Sequence, residues 1–132
     1  MKGSRVQFFE QSLAILQYHM AYKALYLVKE EMCKEKGFIR HNGGHYYFHL
    51  IDVAQKLINA GVREEDIITA ALLHDLVEDV LNEEGKPVYS IDDIKLLFNE
   101  NVARMVDLLT KKPNVDYKKN KALFQETTVF AK

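Results

Sequence analysis

Ala70-Ala71-Leu72-Leu73-His74-Asp75-Leu76-Val77-Glu78-Asp79 decides how this chain folds. The stretch reads as successive turns of a buried helix, yet it carries an imidazole and three carboxylates. Residues three and four apart share a helix face, which stacks His74 over Glu78 and Asp75 over Asp79. Leu72, Leu73, Leu76, Val77 and Val80 surround these groups with apolar surface. Burying so much charge is costly unless something compensates. A bound cation compensates economically, because it turns repulsion among carboxylates into attraction. From spacing alone, an amphipathic helix with its acidic stripe in water accounts for the pattern equally well.

Working outward, Glu64-Glu65-Asp66 place negative charge at the start of this central helix, which suits the macrodipole. The helix is predicted to run to about Leu81, where Asn82-Glu83-Glu84-Gly85-Lys86-Pro87 reads as a loop. Ser90 and Asp93 resemble a capping box before Ile91, Ile94, Leu97 and Phe98, and a further helix carries Val102 to Leu109. Lys111-Lys112-Pro113-Asn114 should break it, and a last helix is expected over about 117–130.

Upstream, apolar spacing predicts helices over about 5–18 and over Met20 to Met32, with a possible break near Tyr18-His19. Lone His19, on an aromatic-rich face, reads as a partly buried structural residue. Asn42-Gly43-Gly44 is loop chemistry that permits positive φ. His41, His45 and His49 crowd around it, and a helix should begin near His49 or Leu50 and stop at Asn59-Ala60-Gly61. No segment shows strand alternation joined by hairpin turns, so an all-α helical bundle is expected, as one domain over residues 1–132.

A formal net charge of -1 supplies no basic field for nucleic acid. With Cys33 the one cysteine, no disulfide framework can form within the chain, and a reducing, cytoplasmic setting is expected. No apolar run approaches the length of a membrane span, and the N-terminus lacks a signal-peptide pattern.

Two segments together resemble one family. His74-Asp75 with Glu78-Asp79 resembles the HD-x-x-ED signature of the RelA/SpoT-type alarmone hydrolases, a branch of the HD phosphohydrolase superfamily. Arg40, Gly43, Tyr46 and His49 match that branch's R-x-x-G-x-x-Y-x-x-H pattern in the same spacing. Thr69 to Leu73 matches the apolar lead-in, and Leu109-Thr110-Lys111 resembles the family's Val-Thr-Lys ending, so the likeness covers about residues 20–132.

The resemblance implies an all-helical HD domain holding one divalent metal, Mn²⁺ by preference, on His49, His74 and Asp75. A mixed imidazole and carboxylate set suits such an ion. It implies hydrolysis of the 3′-pyrophosphate of the nucleotides ppGpp or pppGpp, with Glu78 and Asp79 positioning or deprotonating the water and handling the leaving group. Arg40 matches a position that packs on the guanine base, and His41, which stands where relatives often carry Lys, is expected to touch phosphate.

The chain also departs from the pattern. His45 and Leu50 stand where relatives have Pro, and Met32 or Cys33 where they often have His. Relatives continue with a K-L-A-D-R-x-x-N motif whose Asp is the last metal ligand, whereas Thr128-Val129-Phe130-Ala131-Lys132 ends just before it. Asp107 and Asp116 are no substitutes. This predicts a chain lacking the last part of the family domain, with low or no turnover and apolar surface that favours homo-oligomers. Two other readings stay open: an HD phosphohydrolase acting on another nucleotide, and a non-catalytic domain that binds a nucleotide or a protein.

Overall fold

The computed structural model describes residues 2–39 and 43–110. They form seven α-helices and one 3-10 turn; among the described residues there are no strands, only two isolated bridges. The expected all-α class is the observed one. The expected helix over 117–130 lies outside the described residues.

Helix α1 (Lys2–Leu16) buries Val6, Phe9 and Leu13, one face at helical spacing. It ends where expected, in a turn with Gln17 in the left-handed region at φ 60°. The Tyr18 N–H reaches the Leu13 carbonyl at 2.9 Å and the Gln17 N–H the Ala14 carbonyl at 3.1 Å. That pairing is the usual closure of a helix C-terminus. Helix α2 (His19–Glu31) then buries Ala21, Ala24, Leu25 and Val28. Its first N–H groups find an acceptor on a distant element: Glu65 Oε2 takes Met20 N–H at 2.8 Å and Ala21 N–H at 3.1 Å. His19 is exposed in that first turn rather than partly buried, because α2 turns its small residues inward.

After a 3-10 turn (Lys34–Lys36) and Gly37 at φ 91°, the chain enters the loop before α3 (Tyr47–Asn59). Helix α3 starts earlier than the apolar pattern indicated, because the turn that opens it is already formed at Tyr46. The N–H of His49 donates to the Tyr46 carbonyl at 2.9 Å, and that of Phe48 to the His45 carbonyl at 3.2 Å.

Helix α4 (Glu65–Leu73) is the core of the bundle. Every residue from Ile67 to Leu73 is buried, and the helix packs against α2, α3 and α7. A helix apolar on all sides must lie inside the protein. The expectation of one unbroken helix from 64 to 81 is corrected: α4 stops at Leu73, His74 and Asp75 form a turn, and α5 (Leu76–Asp79) follows. The cause is local. The His74 ring bonds the Ala71 carbonyl at 2.6 Å, the acceptor that an unbroken helix would offer to the Asp75 N–H.

The remaining helices brace this core. Asn82 Oδ1 accepts the N–H groups of Glu84 and Lys86, which closes the loop after α5. Ser90 and Asp93 form the expected capping box on α6 (Ile91–Leu97). Asn99 caps α7 (Glu100–Leu109) by accepting from the Val102 N–H at 2.8 Å. The amides of Asn99 and Asn101 each donate to one oxygen of Asp66, at 3.0 and 2.8 Å, which fastens the start of α7 to the start of α4.

Candidate metal centre

His49 projects from the first turns of α3, and His74 and Asp75 from the break between α4 and α5. One ligand atom from each lies within 4.8 Å of the others. Among the described residues this is the one group of three such donors placed to hold a metal ion. Donors on opposite sides of a first-row ion stand about 4.2 Å apart, twice a bond of about 2.1 Å, so small side-chain rotations close the set.

Each half of the set is held by the fold. His74 and Asp75 are 5% and 8% exposed, so water does little to screen them. The His74 Nδ1 lies 2.6 Å from the Ala71 carbonyl, an acceptor only, so Nδ1 carries a proton. In the neutral ring this leaves Nε2 as a lone pair, 3.4 Å from Asp75 Oδ1. Two electron-rich atoms facing each other in a buried place call for positive charge between them, as a proton or as a metal ion. A ring nitrogen fixed by a backbone carbonyl is also the usual support of a ligating histidine. The donor set therefore fits a divalent ion.

The second oxygen of Asp75 is taken by Tyr46, whose hydroxyl donates to Oδ2 at 2.6 Å. Tyr46 carries no role in the sequence reading beyond its place in the motif. Its position three residues before His49, on the same helix face, was the available signal. The Tyr46 and His49 rings stand 5.6 Å apart. Beside them, burial raises the Tyr47 phenol above its ordinary pKa.

Glu78 and Asp79 lie one turn beyond Asp75, outside the three-donor cluster. Glu78 is half-buried and Asp79 exposed, with the Asp79 N–H on the Asp75 carbonyl at 2.9 Å. Arg40 and His41 lie outside the described residues. Gly43 takes φ 84°, as the loop reading requires. His45 points away from the donor set in its bonding: its Nδ1 accepts the Lys34 N–H at 2.8 Å, and its ring stacks on Tyr47 at 4.8 Å. Glu35 Oε1 lies 3.7 Å from that nitrogen. The Glu35 carboxyl is held below the ordinary range, first by a backbone hydrogen bond and less by a hydrogen bond with Cys33.

Comparison with known proteins agrees with this geometry. The chain is 36% identical over 100 residues, 76% of its length, to the guanosine-3′,5′-bis(diphosphate) 3′-pyrophosphohydrolase of Aquifex aeolicus (strain VF5). It spans 13% of that relative's length. A family model described as an HD domain matches residues 24–129, a range that takes in both histidines and the aspartate of the donor set. With the helical bundle, the buried His-Asp pair and this match together, the chain belongs to the HD domain family.

Proposed function

We propose that this chain is a divalent-metal-dependent phosphohydrolase domain that removes the 3′-pyrophosphate from guanosine-3′,5′-bis(diphosphate). The observation that carries the reading is the meeting of half-buried His49 with buried His74 and Asp75, one ligand atom of each within 4.8 Å of the others. The named activity of the Aquifex relative supplies the substrate class.

In this reading His49, His74 and Asp75 hold the ion, Mn²⁺ by preference for mixed nitrogen and oxygen donors. The ion supplies Lewis acidity, which lowers the pKa of a water and polarises phosphoryl oxygens. Glu78 and Asp79, on the short helix after the ligands, orient the attacking water and take or return its proton. Arg40 packs its planar cation on the guanine ring, and His41 meets phosphate. The buried surroundings of His74 and Asp75 keep bulk water from competing for the donors.

The test is release of pyrophosphate from guanosine-3′,5′-bis(diphosphate) with added Mn²⁺, in the wild type and in His74→Ala. Low, Mn²⁺-dependent turnover in the wild type and its loss in the variant are expected. A wild type that neither cleaves nor binds this nucleotide at saturating Mn²⁺, or turnover that survives the substitution, overturns the assignment.

A further inference from the structure

We infer that Tyr46 is a positioning residue that presents Asp75 to the metal as a one-oxygen donor. The inference rests on the metal reading above and adds to it a residue that acts on the ion only through a ligand.

Tyr46 joins the two halves of the donor set. Its carbonyl accepts the N–H of His49 at 2.9 Å, in the turn that opens α3. Its hydroxyl donates to Asp75 Oδ2 at 2.6 Å, across to the α4–α5 break. Its own N–H is fixed on the Phe38 carbonyl at 2.9 Å, so the residue is anchored at backbone and side chain alike. One residue thus sets how far His49 stands from His74 and Asp75.

The same hydroxyl divides the labour of the carboxylate. Oδ2 is engaged by the phenol, while Oδ1 faces His74 Nε2 at 3.4 Å. A carboxylate with one oxygen so engaged offers the other alone. Ca²⁺ readily takes both oxygens of a carboxylate in a loose shell, whereas smaller ions hold fewer donors at shorter distances. Tyr46 therefore favours a small first-row ion over Ca²⁺, and it does so by restraining Asp75 rather than by binding.

The experiment is calorimetric titration of wild type and Tyr46→Phe with Mn²⁺ and, separately, with Ca²⁺, after circular dichroism has shown both to be helical. The variant is expected to bind Mn²⁺ about tenfold more weakly, and its preference for Mn²⁺ over Ca²⁺ is expected to fall. Equal Mn²⁺ affinity and equal preference in the two proteins overturn the assignment while leaving the metal reading intact. A wild type that binds neither ion overturns both. A second measurement does not depend on the variant folding. In a crystal structure of the Mn²⁺-loaded wild type, Asp75 is expected to ligate through one oxygen with Tyr46 on the other. Ligation through both oxygens overturns the role.

Discussion

Two histidines of this chain are put to opposite uses. At the α4–α5 break, the His74 Nδ1 donates to the carbonyl of Ala71. In the loop before α3, the His45 Nδ1 accepts the N–H of Lys34. The consequence is a pair of opposite tautomers. His74 keeps its proton on Nδ1 and turns a bare Nε2 to the donor set. His45, when neutral, keeps its proton on Nε2 and spends its lone pair on the backbone. The fold thereby leaves one ring with a bare nitrogen facing the donor set and makes the other a clip between the 3-10 turn and α3. Residue type did not decide this; the backbone group within reach of each ring did.

The largest expected effect sets the two rings directly against each other. His74→Ala should weaken Mn²⁺ binding by about a hundredfold, of the order found when a support or ligand of a metal site is lost. His45→Ala should leave Mn²⁺ affinity unchanged. Calorimetry on both variants checks the pair, and equal losses in the two would erase the distinction.

A smaller effect tests the clip itself. His45→Phe keeps an aromatic ring against Tyr47 and Phe48 but leaves the Lys34 N–H without this acceptor. Losing one such hydrogen bond should cost about 1 kcal/mol in a denaturant melt of the metal-free protein. An unchanged midpoint would mean that the ring packs but does not fasten.

A further effect appears only in alkali, and it concerns a second phenol–carboxylate pair. Tyr89 donates to Glu31 Oε2 at 2.6 Å, and burial, reinforced by that carboxylate, pushes its pKa up to about 12. The folded protein thus favours the protonated phenol. The stability it lends is complete below the ordinary tyrosine pKa of about 10 and is lost as pH rises from there through about 12. Tyr89→Phe should flatten the fall in stability across that window and leave Mn²⁺ affinity untouched. Denaturant melts across the same pH range check it.

Much of this was legible in the sequence, for physical reasons that differ by region. The apolar period of α2, α3 and α7 and the Ser90–Asp93 cap are local signals, and they were read correctly because neighbours in sequence carry them. The convergence of His49 with His74 and Asp75 was reachable only through the family resemblance that the two motif segments carry. The break at His74 was not. Leu72, Leu73, Leu76 and Val77 continue the apolar pattern across it, and the capture of a carbonyl by the imidazole leaves no trace in that pattern. The duties of His45 and Tyr46 were equally hidden. Each depends on a partner 11 or 29 residues away, the Lys34 N–H and the Asp75 carboxylate.

Helix α4 is buried at every position from Ile67 to Leu73, and this has a bearing on when the site comes into being. Such a segment has no water-facing side on which to persist alone, so it gains its place only as α2, α3 and α7 close around it. The His74–Asp75 turn is the end of that segment. Its donors therefore assemble in the same cooperative event as the rest of the domain. An ion that binds the finished donor set then steadies the whole domain by mass action, and not one corner of it.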